Sequence, residues 1–209
     1  EIREAMDFLH ARGARGYMTI NIYPHNEHLN LLRNYLMEIK DIPVDAFLVS
    51  DPGVMTILKE IIPDAEIHLS TQANTTNYMT ARFWASMGVK RIVTAREMSL
   101  KEIREMRDQL PDEVEIESFV HGAMCISYSG RCLMSNFMTG RDANMGACTH
   151  PCRWKYSIVE EKRPGEYYPI EEDSHGSYIM NSRDLCMLDG IPDLAAAGVS
   201  SLKIEGRMK

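Results

Sequence analysis

The order of predicted strands and helices is the feature that most narrows what this chain folds into. Short runs rich in β-branched residues alternate with helical patterns along most of the sequence. Strands are predicted at residues 16–22, 46–50, 66–71, 91–95, 114–121 and 200–205. Helices are predicted at residues 1–13, 27–40, 53–61, 75–87, 99–109 and 191–197. Strands that are joined by helices pair in parallel, so the sequence predicts an α/β fold built on a parallel sheet.

Polar residues follow most of these strands, at the point where each strand ends. A (β/α)8 barrel gathers such ends around one mouth. Only six or seven strands are countable, so the sequence predicts an incomplete TIM-like barrel, with an open parallel sheet as the alternative. We expect one barrel-like domain over residues 1–209, truncated at both ends, with a Cys-rich insertion at about 122–176. The strand-end residues are Asn21, Ser50, Asp51, Gln72, Asn74, Arg96, Glu97, His121, Glu205 and Arg207.

The composition limits the classes of function. With 44% apolar residues among 209, the chain can bury a sizeable hydrophobic core. A net charge of −7 excludes a protein coated in positive potential, so an RNA site would need a local basic patch. No apolar run approaches the roughly 20 residues of a membrane helix. We therefore expect a cytoplasmic protein without membrane contacts.

Four of the five cysteines, Cys125, Cys132, Cys148 and Cys152, lie within 28 residues, and Cys186 follows 34 residues later. An odd number of thiols in a cytoplasmic chain argues against disulfides. The neighbours are glycines, serines and arginines, whereas a buried structural thiol normally lies among apolar side chains. Glycine-rich loops let backbone amides reach thiolate sulfur, and arginines offset thiolate charge. The stretch therefore predicts a metal site.

The spacing of the cysteines bears on which metal they bind. Both zinc and iron–sulfur clusters accept four cysteines, and zinc ribbons usually draw them from two CxxC knuckles. The four cysteines here are seven, sixteen and four positions apart, so neither pair has the two-residue gap. This open spacing favours an iron–sulfur cluster beside the barrel mouth, with zinc as the alternative.

Several stretches resemble one known family. "ESFVHGAMCISYSGRCLMS" is similar to the signature of peptidase family U32, the collagenase-like putative peptidases. "HLSTQANTTN", "TAREMSLKEI", "CTHPCRWKY", "IEEDSHGSYIMNSRDL" and "SLKIEGR" resemble other blocks of that family in the same order. The resemblance is strongest to a bacterial branch linked to prephenate-dependent hydroxylation of the wobble uridine of tRNA, which yields 5-hydroxyuridine. Related branches hydroxylate ribosomal RNA or the ubiquinone ring.

The resemblance implies a cofactor, a co-substrate and their ligands. It makes Cys125, Cys132, Cys148 and Cys152 the ligands of a 4Fe-4S cluster, and Cys186 a spare thiol. The alternative is that Cys186 replaces Cys152 as the fourth ligand. Prephenate, a small carboxylic acid, is the implied co-substrate, and tRNA or another RNA is the implied partner. The resemblance also implies further chain on both sides of this sequence.

The family name makes a peptidase the second candidate function. A peptidase needs an activated nucleophile, a base and an oxyanion site. The sequence contains neither an HExxH helix nor a GxSxG elbow. Ser127 and Ser129 lie near His121, but polar residues at this spacing are more typical of turns than of a catalytic pair. A zinc-stabilised RNA-binding module without chemistry is the third candidate.

The strand ends supply the candidate catalytic residues. His121, four residues before Cys125, is a candidate proton donor or hydrogen-bond partner of the cluster, and a packed histidine is the structural alternative. Arg96 is a candidate clamp for a carboxylate, with Glu97 beside it. An Arg96–Glu97 ion pair that only stabilises the barrel mouth is the alternative interpretation.

Substrate contacts are predicted at five residues. Gln72 and Asn74 are candidates for reading a base edge, although they also suit the cap of the helix that follows. Asn21 ends the first strand at the same mouth. Arg153 and Trp154 lie in a stretch that interleaves basic and aromatic residues, as a site for RNA phosphates and stacked bases would. A solvated loop is the alternative for that stretch.

Overall fold

The computed structural model describes residues 1–169 and 184–206. Its helices are α1 (Ile2–His10), α2 (Asn26–Ile39), α3 (Pro52–Ile61), α4 (Tyr78–Ser86), α5 (Leu100–Asp108), α6 (Met134–Thr139) and α7 (Ile191–Ala196). Its strands are β1 (Tyr17–Ile20), β2 (Ala46–Val49), β3 (Ile67–Leu69), β4 (Arg91–Val93), β5 (Glu115–Ala123), β6 (Ser157–Ile158), β7 (Tyr168–Pro169), β8 (Asp184–Cys186) and β9 (Ser201–Glu205). All six predicted strands and six predicted helices are present, with shifts of a few residues at their ends.

Six parallel strands form the main sheet. Strands β1 to β5 pair in chain order, and β9 pairs in parallel with β5. Within the described residues β1 and β9 do not pair with each other, so the sheet is open. The sheet curls into a half-barrel, which confirms the prediction of an incomplete TIM-like barrel and also fits the open parallel sheet.

Side chains at the helix starts explain where α3 and α5 begin. Asp51 accepts a hydrogen bond from the Val54 amide at 3.0 Å, and Pro52 occupies the first helical position. Ser99 and Glu102 form a reciprocal capping box at α5. These caps fix the register in which each helix turns its apolar face toward the sheet.

The hydrophobic core lies between the helices and the outer face of the sheet. Leu36 and Leu58 from the helices pack with Ile92 and Ile116 from the strands, and all four are fully buried. Burying each such side chain contributes about 1.5–3 kcal/mol. Side chains alternate between the two faces of a sheet along each strand. The residues next to Ile92 and Ile116 therefore point to the opposite, concave face of β4 and β5.

A buried charge network occupies that concave face. Glu117 on β5 contacts Arg91 of β4 at 3.3 Å and Lys203 of β9 at 3.0 Å, and it accepts a hydrogen bond from the Ser201 hydroxyl at 2.8 Å. Burial alone raises the pKa of Glu117, but Lys203, Ser201 and Arg91 outweigh it, so the pKa lies below its ordinary value. Three adjacent strands are therefore joined by one carboxylate as well as by their backbones.

Strand β5 pairs with three other strands. Its first residues, Glu115–Glu117, pair with β4, and its last, His121–Ala123, pair antiparallel with β8. Strand β9 pairs with the opposite edge, with a register shift between Phe119 and His121. Gly122 has φ +103°, and a Cβ there would lie 1.7 Å from the Glu205 carbonyl oxygen. Only glycine permits this approach.

Some elements were not predicted from the sequence. These are α6, the antiparallel strand β8 and the two-stranded β6–β7 sheet. The end of the predicted insertion, residues 170–176, and Arg207 lie outside the described residues. Over the part of the chain that the structure describes, no helix is both long and apolar enough to cross a membrane.

Gly122→Ala tests the close approach of β5 and β9. We expect a loss of more than about 3 kcal/mol in the free energy of unfolding, because the new methyl group meets backbone and not a movable side chain. Gly13→Ala is the matched control, since Gly13 also has positive φ, +68°, but nothing lies within 4 Å of the added Cβ. It should lose only roughly 1–2 kcal/mol. Urea unfolding measures both, and equal losses would contradict the packing explanation.

Candidate functional site

Hydrogen bonds between loops hold the strand ends together at the mouth. The Asn21 amide donates to the Ser70 hydroxyl at 2.9 Å, and the Ser50 hydroxyl donates to the Asn21 carbonyl at 2.9 Å. The residues that follow β1, β2 and β3 are thus cross-linked. The structure brings the predicted residue Asn21 to the mouth, where its side-chain nitrogen is already engaged.

A tight turn follows β3. Ser70 accepts the Gln72 amide N–H, residues Thr71–Ala73 form one 3-10 turn, and Asn74 ends it in the left-handed conformation at φ 52°. The Thr71 hydroxyl donates to the Thr94 carbonyl at 3.1 Å, which joins this turn to the end of β4. Asn74 tolerates positive φ better than most residues because its short side chain bonds locally.

This turn anchors the Cys-rich loop, residues 124–156. The Asn144 amide donates to Gln72 Oε1 at 3.1 Å, and its own Oδ1 accepts the Tyr23 amide N–H at 2.7 Å. The Asn74 amide donates to the Ser129 carbonyl at 3.3 Å, and the Tyr23 hydroxyl donates to the Gln72 carbonyl at 2.5 Å. The Cys-rich loop is therefore fastened over the ends of β1 and β3.

Gln72 and Asn74 both reach the mouth, as predicted, and both make structural contacts there. The backbone of Gly130 lies so close to Gln72 that an added Cβ would be 2.6 Å from Gln72 Oε1. Tyr23, Ser129 and Asn144 complete the anchor, and sequence analysis did not identify them. Tyr23 and Asn144 are 121 positions apart, so no local spacing could have paired them.

Arg96 lies between β4, β5 and β9. Its guanidinium pairs with Glu205 at 2.8 Å and lies 4.6 Å from the centroid of the Phe119 ring. Arg96 also borders a cavity of about 130 Å³ that Met124 and Met187 help to line. The ion pair runs to Glu205, whereas Glu97 is exposed. The alternative interpretation of Arg96 predicted an ion pair with Glu97. The structure instead pairs Arg96 with Glu205.

Three buried polar atoms near the ends of β3 and β4 have no hydrogen-bond partner within the described residues. They are Asn74 Oδ1, Thr75 Oγ1 and Arg96 Nε. The Ala95 amide donates to the Thr75 carbonyl at 3.3 Å, so these segments are in contact. Buried polar atoms are nearly always paired, and unpaired ones point to water or a ligand.

The fold of the Cys-rich loop brings Cys125 near Cys132, Cys152 and Arg96. Burial raises the pKa of the Cys125 thiol, and the charges of Cys132 and Cys152 raise it further, while the Ser127 amide and Arg96 act in the opposite direction. Cys152 is buried at 6% exposure in the 3-10 turn Pro151–Arg153. Cys148 accepts the His150 amide N–H at 3.4 Å, the type of contact that stabilises a ligating thiolate.

A single metal ion needs closely grouped ligands: zinc at about 2.3 Å from each sulfur requires them within about 4 Å of one another. In the described part of the chain, no three His, Cys, Asp or Glu side chains are grouped in this way.

Cys186 and His121 face each other across the β5–β8 pairing. They are register partners, and both are exposed. The His121 side chain has no hydrogen-bond partner among the described residues. Ser129, considered with Ser127 as a nucleophile, is only 4% exposed, and its hydroxyl lies 3.4 Å from that of Thr71. The structure thus does not bring His121 and Ser129 into a hydrogen-bonded pair.

Arg153 and Trp154 occupy different environments. Arg153 binds Asp184 at 2.7 Å and the Met124 carbonyl at 3.4 Å, which joins the Cys-rich loop to β8. Trp154 is 42% exposed. Its indole is accessible to a base, whereas the guanidinium of Arg153 already has an anionic partner.

These features define a half-barrel α/β protein whose mouth is covered by a loop with four cysteines. Comparisons with known proteins identify the family. The profile of peptidase family U32 matches residues 1–209, and the chain belongs to that family. It is 42% identical over its whole length to tRNA hydroxylation protein P1 of Bacillus subtilis, strain 168, covering 49% of that protein. It is 41% identical to tRNA hydroxylation protein P of Escherichia coli K12, over 96% of the chain and 52% of the relative.

The chain therefore spans about half the length of the curated relatives it matches. A solved structure, that of the U32 peptidase Mk0906, superposes with a TM-score of 0.58. That match covers 99% of this chain and 76% of the other at 16% identity, so it supports the fold alone.

Asn144→Ala tests the anchor of the Cys-rich loop. We expect the Tyr23 amide to exchange with solvent faster by about one to two orders of magnitude. The change removes the acceptor of the Tyr23 amide and leaves this amide and Gln72 Oε1 without their hydrogen bonds to Asn144. Asn136→Ala is the control, since Asn136 is exposed on α6. Amide exchange followed by mass spectrometry measures both. Equal protection of Tyr23 in the two variants would show that Asn144 does not hold the loop.

Proposed function

We propose that this chain forms the barrel portion of an iron–sulfur-dependent RNA hydroxylation enzyme. Its substrate is tRNA, and the reaction converts the wobble uridine to 5-hydroxyuridine, with a small carboxylic acid such as prephenate as co-substrate. The observation that carries the proposal is the Cys-rich loop fastened across the strand ends, with Arg96 beside Cys125. The relatives named tRNA hydroxylation proteins, at 41% and 42% identity, support the reaction class.

Cys125, Cys132, Cys148 and Cys152 would hold the 4Fe-4S cluster. Burial raises the pKa of the Cys125 thiol, the charges of Cys132 and Cys152 raise it further, and the sulfur of Cys148 accepts the His150 amide N–H. A bound cluster would supply one-electron redox chemistry. Since burial favours the protonated Cys125 thiol, loading must release its proton, and the nearby Arg96 charge favours that release.

Arg96 would bind the carboxylate of the co-substrate. Its buried Nε has no partner among residues 1–169 and 184–206, so one donor remains for a ligand in addition to the Glu205 contact. The adjoining cavity is lined mainly by apolar side chains, among them Phe119, Met124 and Met187, which suit a small organic acid. Asn74 Oδ1 and Thr75 Oγ1 offer further polar contacts in the same region.

Local charge makes the Cys-rich loop a suitable RNA contact. Residues 121–158 contain four basic residues and one acidic residue, a net charge of +3, whereas the rest of the chain carries −10. Arg131, Arg141 and Lys155 are exposed. RNA phosphates would therefore be attracted to this side of the barrel and repelled elsewhere.

Single cysteine replacements test the cluster. Changing Cys125, Cys132, Cys148 or Cys152 to Ala should abolish iron incorporation, because the loss of one thiolate exposes an iron to water. The measurement is anaerobic metal analysis with absorption near about 400 nm. Cys186→Ala is the matched control and should retain iron, since Cys186 is exposed on β8.

Three results would revise these proposals. Loss of iron in Cys186→Ala, together with its retention in Cys152→Ala, would make Cys186 the fourth ligand. A colourless wild-type protein with one zinc would favour the zinc-stabilised RNA-binding module. Cleavage of a peptide substrate that depends on one serine or cysteine would support the peptidase instead.

Salt titration tests the RNA contact. With three or four phosphates bound, the affinity for tRNA should fall roughly tenfold or more between about 50 and 200 mM salt. Replacing Arg131 or Lys155 by Ala should shallow the log–log slope by about 0.7–0.9 each. Arg153→Ala should also lower stability, because it breaks the contact with Asp184. Trp154→Ala should weaken binding by about 1–3 kcal/mol and leave the slope unchanged if the indole stacks on a base.

Labelled tRNA titrated against equally folded variants distinguishes these cases. A Trp154 that only packs against the protein would lower thermal stability without a selective effect on RNA affinity. Identical binding curves for all variants would remove the Cys-rich loop from the RNA site.

A further inference from the structure

Helix α6, directly after Cys132, has two contrasting faces. Ser135 is fully buried, and its hydroxyl accepts the Thr149 amide N–H at 3.1 Å. Thr139, one turn later, contacts the Thr149 hydroxyl at 3.2 Å. These contacts fasten α6 against the segment that carries Cys148 and Cys152. The inward face of α6 is therefore fixed by polar contacts.

The outward face of α6 is apolar. At 100° per residue, Leu133 and Phe137 project on the side opposite Ser135 and Thr139. Phe137 is 87% exposed and Leu133 is 80% exposed, more than any other large hydrophobic residue described. Because Leu133 and Phe137 are four residues apart on one side of α6, they form a small exposed apolar patch, and such patches mark binding surfaces.

The charged residues near α6 indicate which kind of partner its outward face binds. Arg131 and Arg141, which flank the helix on either side in the sequence, are both exposed. Asp142 is the one acidic residue within 121–158. The Arg131 guanidinium lies 5.3 Å from the centroid of the Tyr23 ring. An exposed aromatic ring on a helix with an exposed arginine on each side in the sequence suits a surface that stacks a base and binds phosphates. A protein partner would need acidic side chains around an apolar centre to meet the same surface.

We propose that Phe137 is a base-stacking residue that binds an unpaired nucleotide of the RNA, with Arg131 and Arg141 on its phosphates. This inference rests on the proposed function, since it adds a specific contact to the RNA site. The contacts of Ser135 and Thr139 with Thr149 order the helix before RNA binds, so the backbone that carries Phe137 loses little conformational freedom on binding. The stacked nucleotide lies beside the cysteine site. It must be unpaired for its base to stack on Phe137, as the nucleotides of an anticodon loop are.

The test is binding of a labelled anticodon stem–loop RNA to the purified protein. Phe137→Ala should weaken binding about 5- to 140-fold, the range that one base stack supplies. Phe137→Trp should restore wild-type affinity, whereas Phe137→Leu should not, because leucine has no π face. The salt slope should be the same in all four proteins, since no charge changes.

Phe83→Ala is the matched control. Phe83 is also an exposed phenylalanine, 55% accessible, but it lies on α4. Its replacement should leave RNA affinity unchanged. Because Phe137 is so exposed, Phe137→Ala should keep the wild-type melting temperature, which separates lost binding from lost folding.

Each remaining outcome overturns a specific statement. If wild type binds RNA and Phe137→Ala binds equally well, Phe137 is not a stacking residue, and the proposed function stands. If Phe137→Leu retains full affinity, the contact is apolar and not a stack, and the inference fails. If Phe137→Ala leaves RNA binding unchanged but abolishes self-association in sedimentation, the outward face of α6 joins two copies. If wild type does not bind RNA, the proposed function fails first.

Discussion

The approach of β9 to Gly122 is the contact on which the rest of the architecture depends. Strand β5 pairs with β4 and β8 along one edge and with β9 along the other, and the three partners come from distant parts of the chain. Gly122 is where β8 and β9 meet across β5, and a side chain there would collide with backbone. Two residues later the chain enters the Cys-rich loop. The position of Cys125 is therefore set by the same glycine that completes the sheet.

Polar residues at the strand ends divide into two groups that the sequence could not distinguish. Asn21, Gln72 and the amide of Asn74 hold loops together, so their hydrogen bonds are already made. Arg96 Nε and Asn74 Oδ1 are buried and unpaired among the described residues. An unmade buried hydrogen bond costs about 1–3 kcal/mol. A ligand that satisfied these atoms would recover that free energy, which places the best candidate for small-molecule binding near Arg96 and not at Gln72.

Local signals explain what the sequence predicted well. The capping serine and aspartate, Ser99 and Asp51, mark helix starts that need no distant partner, and the apolar periodicity sets which helix face packs on the sheet. The anchor between Tyr23 and Asn144 links residues 121 positions apart, so its pairing appears only once the sheet has formed. Helix α6 has only six residues, too few to show a helical period, and its apolar face points outward, so the sequence contains no sign of a helix packed against a core.

The proposed cysteine site and the proposed RNA contact share one segment but differ in charge. Four thiolates would add negative charge, which by itself repels RNA phosphates, whereas Arg131, Arg141, Arg153 and Lys155 give the segment positive charge. Arg153 contacts Asp184 and the Met124 carbonyl and is largely buried, so it serves the loop, while the three exposed residues remain available to phosphate. Since α6 is pinned to Thr149, between Cys148 and Cys152, any displacement of those cysteines moves Phe137 as well. The anchors at Gln72 and Asn144 thus position the proposed metal ligands and the proposed RNA contacts as one unit.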